Sequence, residues 1–483
     1  MDVCCRYISS SCRGDHRSFA GRILSPPLLK FIFMRRSPLR FIHALVLVGL
    51  FIPHTFLHAL EKPLPVPAVV SATAEAIYRN AKPRLLQIRT LLNTASQKSS
   101  TGSGFLVSAD GLAITNYHVV SQHALEPQTY RMEYVSADGS TGVLKLLAFD
   151  AVNDLALVQL DKSGWQNFEF DERALAGRLP RGERLFSLGN PLDIGFAVME
   201  GNYSGLVERS YNDRIHLSGP MNPGMSGGPT LTTDSKIAGI NVAKSGWGAE
   251  QVSFLVPAKF ATALINRPRL AEPLTGKAVR AEISRQLGAW QSALYDKIDS
   301  VGFKPATGGP FLLPESNANF FTCWATTNAD EKPSPRARAD STSCNMQNWL
   351  FIAGDLYTGN VSIKRSHFTN LRLNSFQFAN FVASSSATGS DRTNQKRMTP
   401  TACVEDIALA DEVAGKAQYP RVRVSWCASA YREFDGLFNV SFVAVAPERD
   451  GQAAAITVFM NGTSYENATR VARRILAEFK VKS

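Results

Sequence analysis

Residues 222–229 read Asn222-Pro223-Gly224-Met225-Ser226-Gly227-Gly228-Pro229, a single serine set among glycines. Glycine takes positive φ without steric cost and lets the backbone approach a ligand closely. In acyl transfer that freedom turns the backbone N–H groups of Gly224 and Ser226 toward a carbonyl oxygen while Ser226 Oγ attacks its carbon. The same residues also suit an ordinary Gly/Pro turn with a spare serine. The residues upstream decide between the two readings.

Upstream, short alternating or apolar runs separated by turn signals predict strands at 85–90, 102–107, 112–115, 130–134, 141–149 and 155–160. Ala109-Asp110-Gly111 is the hairpin turn between the second and third. So many short strands with little helix imply a barrel or sandwich. His118 follows the end of the third run, where a scaffold can hold a side chain rigidly beside a cleft. Asp154 stands at the mouth of the last run, Asp154-Leu155-Ala156-Leu157-Val158. A histidine or an aspartate in such a place is commonly structural. His123 and His216 compete with His118, and Asp150 competes with Asp154.

The combination is more specific than its parts. Gly102-Ser103-Gly104-Phe105-Leu106-Val107-Ser108-Ala109-Asp110-Gly111 precedes Thr115-Asn116-Tyr117-His118-Val119-Val120. Asn153-Asp154-Leu155-Ala156-Leu157 and Gly224-Met225-Ser226-Gly227-Gly228-Pro229 follow. These four blocks, in this order, resemble the trypsin-like serine endopeptidases, and among them the exported HtrA/Deg-like branch. The His, Asp, Ser order is that of the chymotrypsin fold and differs from the subtilisin and α/β-hydrolase orders. The resemblance implies two β-barrel lobes over 78–266, with His118 as general base, Asp154 as its orienting carboxylate and Ser226 as nucleophile. The chemistry agrees with those roles. A serine hydroxyl is a weak nucleophile near neutral pH until a base accepts its proton. A neutral imidazole can take that proton and return it to the leaving amine. A buried carboxylate fixes the tautomer and steadies the imidazolium.

The second lobe is expected to hold strands at 185–188, 196–208, 215–217, 231, 237–242 and 252–256, and a closing helix over 257–266. By resemblance, Ile240-Asn241-Val242-Ala243 is the edge that pairs with an extended substrate; an interior strand is the alternative. Two departures from the family pattern stand out. Met225 precedes the nucleophile, where digestive trypsin-like enzymes use an aspartate to bind a newly cut N-terminus and HtrA-like enzymes usually carry asparagine. Pro220 stands near the expected floor of the specificity pocket with no carboxylate nearby, which disfavours Lys or Arg and favours a small or apolar residue before the scissile bond.

The chain has 483 residues, too many for one ordinary core, so more than one domain is expected. Eight Lys/Arg and two Asp/Glu in residues 1–59 account for +6 of the +11 formal charge. The remainder is dispersed, no nucleic-acid-binding motif is present, and no nucleic-acid partner is expected. Neither a cofactor nor a metal is implied. The front reads as a leader: the basic stretch Met34-Arg35-Arg36-Ser37-Pro38-Leu39-Arg40, a twelve-residue apolar run from Phe41 to Ile52, and a small-residue cleavage site before Leu60. The start codon is read at Met34, and a retained membrane anchor from Phe41 to Leu60 is the alternative. Residues 60–77 are a Pro-rich linker that runs into a short helix over 71–80. Beyond the leader remain Cys323, Cys344, Cys403 and Cys427, an even count that suits disulfides in an exported chain. Pairing of sequence neighbours closes the shortest loops. A zinc site, lacking a CxxC pair or a nearby histidine, is the alternative.

A helical connector covers 267–300, with Val279, Ile283, Leu287, Trp290, Leu294 and Ile298 at helical spacing. Residues 301–483 then read as an α+β domain: strands at 349–353, 360–363, 376–382, 422–427, 438–445 and 456–460, a terminal helix over 464–479, and exposed loops over 330–342 and 383–400. HtrA-like proteases normally continue into PDZ domains, but no matching carboxylate-binding glycine-rich loop is present, and no internal repeat is visible. The fold class is therefore mostly β, a double barrel followed by an α+β domain. The expected activity is exported serine endopeptidase action on protein or peptide substrates. The alternatives are an inactive protease-like binding protein, or a protease serving a C-terminal domain that recognises the cell envelope.

Overall fold

The computed structural model describes residues 71–95, 97–242, 252–346, 348–354, 356–387, 396–409 and 421–481. The leader, residues 60–70 of the Pro-rich linker and Ala243 lie outside the described residues, and the linker's remainder enters the helix Ala72–Ala81. Among the described residues no helix is long and apolar enough to cross a membrane.

Two closed six-stranded barrels stand side by side in sequence. The first is built from Leu85–Leu92, Lys98–Leu106, Leu112–Thr115, Tyr130–Ser136, Thr141–Asp150 and Leu155–Leu160. The second is built from Arg184–Gly189, Ala197–Leu206, Ile215–Ser218, Pro229–Leu231, Ile237–Val242 and Val252–Pro257. Counting strands within each barrel, both close in the cyclic order first, second, third, sixth, fifth, fourth. The chain thus repeats one topology without repeating a sequence, because a barrel constrains only which positions are apolar and where the chain turns. Leu86, Ile88, Leu106, Val158 and Leu160 share one buried face of the first barrel, and Leu185, Leu217 and Leu255 share one of the second. The mostly-β double barrel is the fold that the sequence predicts. One departure lies in the first lobe, where Tyr117–Leu125 forms a helix. Tyr117, Val120 and Ala124 drive it, buried together on the barrel despite two β-branched residues in the first turn.

The long helix Gly276–Val301 belongs to two cores at once. Its first half buries Val279, Ile283 and Leu287 with the first barrel, and its second half buries Leu294, Tyr295 and Ile298 under the C-terminal sheet. Each such side chain removed from water contributes about 1.5–3 kcal/mol, so the helix acts as a strut. Beyond it lies a seven-stranded antiparallel sheet in the spatial order Phe321–Thr327, Ala337–Met346, Val361–Asn370, Gln452–Thr463, Phe438–Arg449, Arg421–Ala430, Ala402–Leu409. The terminal helix Tyr465–Glu478 packs Val471, Ile475 and Leu476 into its core. Cys323 joins Cys344 and Cys403 joins Cys427, each pair tying an edge strand to its neighbour.

Two expectations for this region are corrected. Phe376–Val382 is not a strand but part of the helix Ser375–Ser386. Asn374 accepts from Gln377 N and the Gln377 side chain returns to Asn374 N, a capping box. Phe378 and Val382, four apart, then fall on one buried face. The polar stretch 330–342 is not all loop, since Ala337–Met346 is an interior strand paired on both sides. Its polar residues did not signal a strand because every second side chain lies away from the core. Of the other expected loop, 383–386 is helix and 388–395 lies outside the described residues.

Candidate active site

The cleft is built by one loop from each lobe. Thr115 ends a strand, and His118 sits in the first turn of the helix Tyr117–Leu125. Asp154 occupies the turn before Leu155–Leu160 with φ of +60°, a left-handed conformation that aspartate tolerates better than most residues. That turn delivers both carboxylate oxygens to one residue: Oδ1 accepts from His118 N at 2.9 Å and Oδ2 lies 2.7 Å from His118 Nδ1. Asn116 Nδ2 donates to the Asp154 carbonyl at 2.8 Å and holds the turn from below. From the long helix, Gln286 accepts from Ala151 N at 2.8 Å and donates to Phe149 O at 3.0 Å, pinning the chain just ahead of it.

Asp150 faces elsewhere. Its carboxylate accepts from Asn153 N and Asn153 Nδ2 and pairs with Arg267 at 2.9 Å. His123 bonds the Tyr130 carbonyl at 2.7 Å, and His216 lies beside the Phe254 ring; neither touches Asp154. Burial opposes the imidazolium of His118, but the charge and hydrogen bond of Asp154 outweigh it and raise the His118 pKa.

Ser226 lies in the second lobe and is buried. Its loop fits the first lobe so closely that a Cβ on Gly227 would meet Ser103 O at 2.3 Å, Thr115 Oγ1 at 2.4 Å and Asn116 N at 2.9 Å. Gly227 also has φ of +85°, so glycine is required there twice over. This contact brings the serine loop against the segment that leads into His118. The Ser226 hydroxyl makes no hydrogen bond to another described residue. Pro223 O accepts from Leu192 N at 2.9 Å, which turns that carbonyl away from the serine. Gly224, with φ of +95°, approaches Asn190 O more closely than any Cβ would allow. Among the described residues the N–H groups of Gly224 and Ser226 have no acceptor, so both can donate to a ligand oxygen.

Three side chains hold this loop: Ser103 and Asp193, which sequence reasoning left without a role, and Asn241, which it placed on the substrate edge. Ser103 Oγ donates to Gly224 O at 2.7 Å and accepts from Asn190 N at 2.9 Å, while its backbone N donates to Ser226 O at 2.8 Å. It sat within the quoted glycine-rich block, but nothing local marks a serine that acts across the lobes. Asp193, at φ of +61°, reaches from the turn Pro191–Asp193 to Lys98, Gln87 and Arg89 of the first barrel. Asn241 Nδ2 donates to Leu188 O at 2.9 Å and Met225 O at 3.2 Å. Met225 itself is fully buried among Leu188, Leu231 and Ile240, which suits a thioether where an ionic residue would be stranded.

The expected substrate edge needs correction. Ile240 pairs with Pro229 on one side and Val256 on the other. Asn241 donates its N–H to Gly228 O and accepts from Gly227 N. Both therefore belong to the barrel interior and offer no free edge. Among the described residues Val242 pairs with Phe254 alone, and it is half-exposed. Pro220 is exposed and lines no floor. Among the described residues no cluster of side chains could hold a metal ion.

A model of the trypsin-like peptidase domain matches residues 102–240. A probable periplasmic serine endoprotease, DegP-like, of Bartonella henselae is 30% identical over 219 residues, covering 44% of this chain and 41% of the relative. A DegP-like relative of Marinomonas is 31% identical over 233 residues, 46% of each chain. The crystal structure of a serine endoprotease from Yersinia pestis aligns over 40% of this chain and 65% of its own at 23% identity and a TM-score of 0.34. The chain spans under half the length of these two curated relatives. Within that span the double barrel, the ordered blocks and the matched segment agree: residues 102–240 match a trypsin-like peptidase domain, and this part of the chain is similar to serine endoproteases described as DegP-like.

Proposed function

We propose that this chain is an exported serine endopeptidase in which Ser226, His118 and Asp154 form the catalytic triad. The observation that carries the reading is the double hold of Asp154 on His118, beside a serine loop in which Gly224 N–H and Ser226 N–H have no acceptor among the described residues. A peptide carbonyl carbon meets Ser226 Oγ as His118 Nε2 takes the hydroxyl proton, and the new oxyanion accepts from Gly224 N–H and Ser226 N–H. The tetrahedral adduct collapses, the C–N bond breaks, and the imidazolium returns its proton to the departing amine. Water then attacks the acyl-enzyme with His118 again as base, which releases the acid and restores Ser226. Asp154 keeps the Nδ1–H tautomer and steadies the imidazolium as it forms.

Extended substrate pairs with the free side of Val242. Export is supported by the leader at 34–59, by two cysteine pairs beyond it, and by relatives whose names place them in the periplasm. Casein digestion tests the activity. Wild-type protein cleaves it, and Ser226→Ala, with the fold intact, falls by roughly a millionfold in turnover. Equal cleavage by the two proteins refutes the assignment.

A further inference from the structure

The C-terminal region lies outside the trypsin-like domain, yet one of its hairpins ends at the candidate base. Leu350–Ala353 pairs with Leu356–Thr358. Leu350, Ile352, Ala353 and Leu356 are buried in the same core as Tyr117, Val120 and Phe149 of the first lobe. The Tyr117 hydroxyl donates to the carbonyl of Ile352 at 2.9 Å. The hairpin is thus locked onto the helix that carries His118. Phe351 also packs against that core, its ring centroid 6.1 Å from that of Tyr117. Its ring stands edge-on to His118 with centroids 6.0 Å apart, and it meets Tyr357 at 5.6 Å. Phe351 is half-buried, while Tyr357 is 52% exposed and the preceding Trp349 57% exposed.

Apolar surface left in water is unfavourable by about 25 cal/mol per Å², and here it adjoins the group that moves protons. His118 must reach both the serine and the leaving amine, so a bound peptide has to pass along this ring. A side chain next to the scissile bond then falls beside Phe351 and Tyr357. We propose that these two residues form the wall of a substrate subsite that takes a bulky apolar or aromatic side chain, in the residue flanking the scissile bond on the His118 side. This rests on the proteolytic reading above. It makes the C-terminal region part of the cleft, since the wall and the base share one core and cannot move apart independently.

The test uses the full chain and a mixed synthetic peptide library, with cleavage sites read by mass spectrometry and rates taken per site labelled by a fluorophosphonate. Wild type prefers Leu, Met, Phe or Tyr over Ser or Asp at one flanking position by roughly tenfold, the range expected for a hydrophobic pocket. Phe351→Ala and Tyr357→Ser each flatten that preference, and Phe351→Leu keeps it. Tyr357 is half-exposed, so Tyr357→Ser decides the matter if Phe351→Ala fails to fold. An unchanged preference in Tyr357→Ser, or no apolar preference in wild type, overturns the subsite while leaving the protease reading in place. Wild-type protein that neither labels nor cleaves overturns both.

Discussion

Ser103→Ala changes one buried atom, outside the triad, and should disarm the cleft. Ser103 Oγ is the shared partner of the Gly224 carbonyl at 2.7 Å and the Asn190 N–H at 2.9 Å, and the side chain is fully buried. Each hydrogen bond contributes about 1 kcal/mol net, and a buried group left without a partner costs about 1–3 kcal/mol. With the loop held rigidly in place the two stranded groups would cost roughly 2–6 kcal/mol together. The alternative is for residues 223–225 to shift until the Gly224 carbonyl and the Asn190 N–H find new partners. That shift misaims the Gly224 N–H. Complete loss of one such donor costs about 10²–10³ in kcat, so a partial loss of aim should cost roughly tenfold to a hundredfold. KM should hardly change, because the donor acts on charge that develops only in the transition state. Steady-state kinetics on a casein-derived peptide and a thermal melt read both effects. An unchanged kcat, or a loss confined to KM, would refute the role given to Ser103.

Asp154→Asn should lower turnover by about ten-thousandfold with little change in melting temperature, because it favours the wrong histidine tautomer. Asp150→Asn should show the reverse pattern, since that carboxylate pairs with Arg267 and Asn153 and not with His118; an exchange of the two results identifies Asp150 as the orienting group. The His118 pKa is raised above 6.5, and the base works only when neutral, so kcat/KM should rise with pH along a limb centred above 6.5. The linked stability runs the other way: it is fully present below the unfolded pKa and is lost as pH rises through the raised folded value. A limb at or below 6.5 contradicts this. Asp193→Ala releases the turn whose Leu192 N–H holds the Pro223 carbonyl, and a loss near 1.4 kcal/mol in that hold reads as about a tenfold fall in kcat. Unchanged kinetics in that variant would show that the turn stands without its tether.

The barrels were legible because their strands alternate or run apolar between clear turn residues, and because four blocks of sequence stand in a specific order. The candidate triad was legible for the same reason. Ser103 and Asp193 were not, since their side-chain partners lie 87 to 121 residues away and no local pattern encodes a contact across lobes. The helix Ser375–Ser386 was misread because Phe376 to Val382 is rich in aromatic and apolar residues, while the decisive signal was the cap at Asn374. Least visible was the fusion of the C-terminal region to the first lobe. Val279, Ile283 and Leu287 form an ordinary amphipathic stripe, and only the fold shows that the stripe serves two cores.

The central claim is that Ser226 is a nucleophile activated by His118 in a cleft ready to receive an oxyanion. The most direct measurement is fluorophosphonate labelling of the purified full chain, followed by peptide mapping of the adduct. The expected result is one adduct per chain, on Ser226, slowed by His118→Ala and absent from Ser226→Ala. Labelling that persists in Ser226→Ala, or a folded wild-type chain that takes no label, would contradict it.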